Sequence, residues 1–205
     1  MHLLICVLGG YLLGSIPTAY LLVRRSAGID IREAGSGNVG GYNTYRVTKS
    51  KSAAVMVGVL DGLKGFGAVL VVAWFAPESP WDQVVVLGST LVGHNYPVWL
   101  GFKGGRGLAS AAGGFLGIGL SFAVVWCGVW FVVHRTTNDI LKSNITAIVV
   151  SPFIVAALRT TLVPWLMVSS MPPDVYVLAS IPISCVLLLS HAKPVWLWIQ
   201  GKPLS

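Results

Sequence analysis

Residues 108–133 read LASAAGGFLGIGLSFAVVWCGVWFVV, an apolar run without a single Asp, Glu, Lys or Arg. A bilayer core about 30 Å thick takes about 20 residues of helix. The run therefore supports either one tilted helix or two shorter ones meeting near Leu120, since Gly113, Gly114, Gly117 and Gly119 permit a break. The flanking charges choose between them. Arg24, Arg25, Arg32, Arg46, Lys49 and Lys51 fill the segment after the first apolar stretch, whereas the next connection carries only Glu78 and Asp82. Cytoplasmic loops are enriched in Lys and Arg, so the N-terminus is placed outside, the first loop inside, and Lys103 and Arg106 inside again. One helix over 108–133 would strand His134, Arg135, Lys142, Lys193 and Lys202 on the outer side. Two helices return them all to the cytoplasm and leave Arg159, near Asp174, as the outer cation.

The other apolar stretches run from Leu3 to Val23, Ala53 to Ala76, Gln83 to Leu100, Ile145 to Met167 and Val175 to Leu189. The sequence thus predicts an all-α, polytopic transmembrane helix bundle of about seven membrane-embedded helices. Its N-terminus is outside, its C-terminus is cytoplasmic, and residues 1–205 form one domain. The first stretch has no leading positive charge or small-residue cleavage site, so it is retained as a helix.

Hydrophobic residues make up 55% of the chain and charged ones 10%, too little polar surface to cover a water-soluble fold of this length. A net charge of +7 would suggest nucleic acid for a soluble protein. Here the cations sit in short clusters between apolar stretches, and membrane orientation accounts for them, so neither a nucleic acid nor an obligate protein partner is expected. Cys6, Cys127 and Cys185 lie within apolar segments without metal-ligand spacing. They are expected as small core residues, with no metal or cofactor site.

Two polar blocks interrupt the apolar pattern. The first is Gly35-Ser36-Gly37-Asn38-Val39-Gly40-Gly41-Tyr42-Asn43-Thr44-Tyr45-Arg46. Its glycines let backbone amides turn toward an anion, Ser36, Asn38 and Asn43 add side-chain donors, and Arg46 offers a planar fork for phosphate oxygens. The spacing is not that of a P-loop or a dinucleotide fingerprint. The second runs from Gly93-His94 through Pro97 to Phe102-Lys103-Gly104-Gly105-Arg106-Gly107, with cations and glycines directly before an apolar helix, where unpaired N–H groups and the positive dipole end favour anions. Asp61 and Lys64 are three apart on one helical face; they form an ion pair, or Lys64 holds a phosphate. His94 and His191 sit at cytoplasmic helix ends and could move a proton or bind phosphate. His94, within the glycine-rich block, is the stronger candidate.

These blocks, with Asp61-Gly62-Leu63-Lys64-Gly65, resemble the bacterial membrane glycerol-3-phosphate acyltransferases that use acyl phosphate, over most of the chain. The resemblance implies transfer of a fatty acyl group from acyl phosphate to the 1-hydroxyl of glycerol 3-phosphate. The products would be lysophosphatidic acid and phosphate, in the first step of phospholipid synthesis at the bacterial inner or plasma membrane. It implies Ser36 and Arg46 as the essential pair of the first motif, and Lys103 with Gly104 and Gly105 as the glycerol phosphate cradle, Arg106 standing where Lys is more usual. It also matches His191 to a third, C-terminal motif and places Asn144 near a family serine that contacts the acceptor. The chain departs from the family at Gly41-Tyr42, where Ala-Thr is usual, at Pro194, where Asn is usual, and at Pro203, near a usual Glu.

An acyl phosphate is an activated mixed anhydride, so alignment and charge stabilisation suffice without a covalent intermediate. The base is His94 or a substrate phosphate oxygen. The alternatives are a transporter for a phosphorylated solute, or a divergent relative with another acceptor or a non-catalytic role.

Overall fold

The computed structural model describes residues 2–76 and 79–202; Glu78 and Pro203 lie outside the described residues. Eleven α-helices follow in order among them: α1 His2–Gly14, α2 Thr18–Ala27, α3 Gly41–Thr48, α4 Lys51–Phe75, α5 Pro80–Asn95, α6 Leu108–Ile118, α7 Ser121–Thr137, α8 Ile140–Ala157, α9 Leu162–Trp165, α10 Pro173–Ser190 and α11 Ala192–Ile199. A 3₁₀ turn, Val98–Leu100, sits between α5 and α6. Long apolar side chains such as Leu3, Leu4, Trp74, Phe153 and Trp165 stand exposed on the outer faces, as a lipid-solvated fold requires. Among the described residues, four helical stretches are long and apolar enough to cross a membrane: His2–Ala27, Lys51–Phe75, Ile140–Ala157 and Pro173–Ser190.

The run 108–133 is two helices. The chain breaks at Gly119-Leu120, and the buried hydroxyl of Tyr176 fills the gap, accepting from the Phe122 N–H and donating to the Gly119 carbonyl, both at 2.8 Å. The Leu120 N–H bonds the Leu166 carbonyl at 2.8 Å. Backbone freed in an apolar medium needs such partners, and Tyr176 supplies two of them from one atom.

The first apolar stretch departs from the expected single helix. Pro17 has no N–H and disfavours helical geometry at Ile16, so α1 ends at Gly14 and α2 starts at Thr18. Lys64 closes this second break, its Nζ donating to the Ile16 carbonyl at 2.5 Å.

Other boundaries shift as well. α5 ends at Asn95, ahead of Pro97, rather than continuing to Leu100. α8 starts at Ile140 rather than Ile145, because the Asp139 carboxylate caps it by accepting from Leu141 and Lys142 N–H at 2.8 and 3.1 Å. It ends at Ala157, and short α9 covers part of the stretch to Met167. Of the three cysteines expected inside, only Cys6 is buried; Cys127 and Cys185 are exposed, as an apolar side chain facing lipid is free to be.

Small residues set the closest helix contacts. On α4 against α6, a Cβ on Gly65 would strike the Ser110 carbonyl and one on Gly113 the Gly62 carbonyl. On α1 against α5, a Cβ on Gly14 would strike the Thr90 carbonyl. With no hydrophobic drive between helices in lipid, such backbone approach supplies packing. A second, smaller apolar cluster of Ala19, Val23, Ile31, Val39, Val57 and Leu100 lies under the two glycine blocks and seats them.

Candidate active site

The first glycine block folds as a loop entering α3. Gly35 and Gly37 adopt positive φ, 63° and 73°, a conformation glycine reaches without steric cost. Asn43 is fully buried and organises the loop. Its Oδ1 accepts from the Ser36 N–H at 2.9 Å, and its Nδ2 donates to the Ile31 and Ala34 carbonyls at 3.2 and 3.0 Å. Its donors are therefore spent on the protein, unlike the substrate contact expected from the sequence; Asn43 holds Ser36 instead. Arg32 fastens the same loop, pairing with Asp30 at 2.6 Å and donating to the Leu100 carbonyl at 3.3 Å. That pairing holds the Asp30 carboxyl down at about 2.

The second block returns against the first. The Val39 N–H donates to the Gly104 carbonyl at 3.3 Å. Gly104 and Gly105 N–H groups bond the Asn95 and His94 carbonyls at 3.1 and 3.0 Å, completing the otherwise unpaired C-terminal turn of α5. The expected phosphate cradle of Gly104 and Gly105 amides is thus turned into α5. A Cβ at Gly105 would strike His94 Nε2, so these glycines serve close packing.

The unpaired amides lie elsewhere. α3 starts after Gly40 and α6 after Gly107, neither with a side-chain cap. Gly40, Gly41, Tyr42, Gly107, Leu108 and Ala109 line one cleft of about 620 Å³. Two helix N-termini therefore present first-turn N–H groups and positive dipole ends to the same space. The end of α7, the turn after it and the start of α8, Thr137 to Leu141, also line it.

Of the residues expected from the sequence, Ser36, Asn38, Arg46, His94, Arg106 and Asn144 line this cleft. Neither the Arg46 nor the Arg106 guanidinium has a hydrogen-bond partner among the described residues. Lys103 is exposed and outside the lining. Lys64 is buried in the pairing weighed from the sequence: its Nζ lies 2.8 Å from Asp61 Oδ1. The same oxygen accepts from Thr18 Oγ1 and faces His94 Nδ1 at 3.6 Å. His191 is fully buried, its Nδ1 against the Leu187 carbonyl at 2.8 Å. It is outside the cleft lining, unlike the substrate contact expected from the sequence, and its neighbour Ser190 donates from Oγ to the Arg106 carbonyl at 3.0 Å.

The glycerol-3-phosphate acyltransferase family profile matches residues 4–201. This chain belongs to that family. Among curated glycerol-3-phosphate acyltransferases, one from Synechococcus sp. (strain JA-3-3Ab) is 38% identical over 191 residues, spanning 93% of this chain and 92% of its own length. One from Mesorhizobium japonicum is 42% identical over 155 residues, 73% of this chain and 75% of its own. The crystal structure of PlsY, an integral membrane glycerol 3-phosphate acyltransferase, in its glycerol 3-phosphate form superposes with a TM-score of 0.79. It is 28% identical and covers 98% of this chain and 93% of its own; its lysophosphatidic acid form gives 0.78.

Within this acyltransferase fold, an apolar groove adjoins the polar cleft. Ala111, Phe115, Phe122, Trp126 and Leu187 line it, and Leu108 belongs to both spaces. Pro194, where the resemblance leads one to expect Asn, falls in the first turn of α11, a position that has no intrahelical N–H bond to lose. Sequence reading missed Asp61, Asn138 and Asp139 as cleft-lining residues. The Asn138-Asp139 pair directly before an apolar run was a turn-and-cap signal that could have found the third wall.

Proposed function

We propose that this chain transfers a fatty acyl group from an acyl phosphate to the 1-hydroxyl of glycerol 3-phosphate, releasing phosphate and lysophosphatidic acid. One observation carries the reading: two uncapped helix N-termini and two guanidinium groups, unpaired among the described residues, meet in a cleft whose Leu108 edge opens on an apolar groove. The cleft suits two phosphorylated molecules and the groove suits an acyl tail. The names of the relatives, and the ligand forms of the similar crystal structures, support the same acceptor and product.

In this reading the 1-hydroxyl oxygen bonds to the acyl carbonyl carbon, and the bond from that carbon to the phosphate oxygen breaks, phosphate leaving with the electron pair. Arg46, Arg106 and the first-turn N–H groups of α3 and α6 hold the phosphates and offset developing charge, a role in which losing one donor typically costs about 10²–10³ in rate. Ser36, held by Asn43, orients the attacking hydroxyl. The proton passes to a substrate phosphate oxygen, whose second ionisation near pH 6 suits the task. His94 is placed less well for that role, with Nδ1 turned to Asp61 and Nε2 packed on Gly105.

Charge placement supports seven passes in one domain, with the cleft on the cytoplasmic face of a bacterial inner or plasma membrane. Transport of a phosphorylated solute is disfavoured, because transport sites use unwound helix segments near the midplane. Here both breaks are filled, by Lys64 and by Tyr176.

The test is incubation of purified protein with acyl phosphate and glycerol 3-phosphate, following phosphate and monoacylated product together, with an acyl thioester as the competing donor. Equimolar phosphate and product are expected. Product from the thioester alone would overturn the donor, and solute uptake into vesicles without product would overturn the reaction.

A further inference from the structure

α7 carries an aromatic ladder along one face. Trp126, Trp130 and His134 follow at i, i+4 and i+8, with Trp126 and Trp130 ring centroids 6.4 Å apart and Trp130 and His134 4.6 Å apart, both stacked. Trp126 lines the apolar groove. Trp130, clamped between its neighbours, donates its indole Nε1–H to Asn144 Oδ1 on α8 at 2.8 Å, and Asn144 lines the polar cleft.

The chemistry of this bond fixes which way the amide faces. An indole nitrogen only donates, so the atom opposite it must be the carboxamide oxygen. The NH₂ group then points away from Trp130, and Asn144 Nδ2 has no hydrogen-bond partner among the described residues. Asn144 is only 7% exposed, and its open side is the cleft. A carboxamide free to rotate would offer an anion its oxygen half the time; this one offers two donors.

We infer that Trp130 is a positioning residue that locks Asn144 with its amino group toward the cleft, making the pair a determinant of phosphorylated-acceptor binding. The inference rests on the acceptor reading above. It assigns a specificity role to an aromatic side chain that touches no substrate, and it joins the wall of the acyl groove to the wall of the polar cleft through one helix face.

Trp130→Phe keeps a ring in the stack and removes only the donor. Its expected effect is a rise of about tenfold in the KM for glycerol 3-phosphate, the worth of one oriented hydrogen bond to a charged group, with kcat and the donor KM changed less than about twofold. Asn144→Asp keeps the bond to the indole but turns a second oxygen toward the cleft, so its acceptor KM should rise further. The double variant Trp130→Phe/Asn144→Ala should be no worse than Asn144→Ala alone, since both act through one amide. Inorganic phosphate binding, followed as thermal stabilisation in detergent, provides a readout independent of turnover: Trp130→Phe should weaken it by a similar factor. Unchanged acceptor KM and phosphate affinity in a folded Trp130→Phe protein would overturn the inference, as would fully additive losses. Failure of the acceptor reading shows separately, as a wild-type protein that gives no acylated glycerol phosphate; the phosphate comparison then still decides the role of Trp130.

Discussion

The backbone N–H of Val39 donates to the carbonyl of Gly104 at 3.3 Å, and through that bond two glycine blocks far apart in sequence become one surface. Val39 is seated in the small apolar cluster with Ile31 and Leu100. Gly104 donates its N–H to the Asn95 carbonyl at the end of α5. The junction leaves the starts of α3 and α6 facing the same cleft.

Gly105→Ala tests this junction. The added Cβ would strike His94 Nε2 and stand 2.7 Å from the Val39 carbonyl, so the loops must part. Displacing reacting groups by about 1 Å costs on the order of 10²-fold in rate. The expected outcome is a loss of that size in acyl transfer with the detergent-solubilised protein still monodisperse. Near-normal activity would show that the loops do not need this contact.

Arg106 and Lys103 separate by position. Arg106 lines the cleft with no hydrogen-bond partner for its guanidinium among the described residues, and Lys103 lies outside the lining. Arg106→Ala is therefore expected to raise the acceptor KM or lower kcat/KM by about 10²-fold, in the range of a lost charged hydrogen bond. Lys103→Ala should cost less than about fivefold. Steady-state kinetics with varied glycerol 3-phosphate give both values, and the reverse order would relocate the anion site to the Lys103 side.

How much of this was legible follows from what each residue's neighbours are. The break in 108–133 could be read from charge, because the positive-inside bias acts on loops visible in the sequence. The uncapped start of α6 beside Arg106 could be read from glycines and cations before an apolar run. The destination of the Gly104, Gly105 and Asn43 hydrogen bonds could not, because the α5 carbonyls and the Ile31 and Ala34 carbonyls reach them only once the chain is folded. Pro17 was legible in principle, but the apolar run on both sides outweighed it. The outward facing of Cys127 and Cys185 had no signal at all, since in lipid both faces of a helix are apolar.

Asp61 and Lys64 form a buried pair, with side chains 3% and 6% exposed, and Lys64 also closes the break at Ile16. Removing one partner leaves an uncompensated charge, which typically costs about 3–5 kcal/mol, while replacing both is milder. Lys64→Met is expected to lower the unfolding midpoint in detergent sharply. Asp61→Leu with Lys64→Met should recover part of the loss, though not the part due to the Ile16 carbonyl. Equal midpoints for Lys64→Met and the parent would refute the role of this pair in joining the first span to α4.

Acid stability should report the Asp30–Arg32 clamp. Arg32, donating to Asp30 Oδ1 and Oδ2 at 2.6–3.2 Å, holds the Asp30 carboxyl at about 2, below the usual carboxylate value near 4. A pKa depressed by folding contributes stability that is complete above the unfolded value and is lost as pH falls through the folded one. The contribution is thus intact above about pH 4 and fades toward about pH 2. Asp30→Asn removes the titrating group, so the difference in unfolding midpoint between parent and variant should be constant from neutral pH to about pH 4 and shrink below it. Midpoints that stay equally far apart down to pH 2 would mean that Arg32 does not hold the Asp30 carboxylate.

The identity of the base is testable through the acidic limb of the pH–rate profile. A substrate phosphate that must be dianionic gives activity that falls below about pH 6, whatever stands at residue 94. His94→Gln should therefore keep that limb while losing rate through poorer packing of Gly105 on the α5 end. An acceptor analogue with a phosphonate in place of phosphate, whose second ionisation is higher, should move the limb upward in parent and variant alike. If the limb vanishes in His94→Gln, the proton goes to His94 and Asp61 becomes the carboxylate that orients it; a limb that persists in the variant but stays fixed when the acceptor's ionisation is moved assigns the proton to the donor phosphate instead.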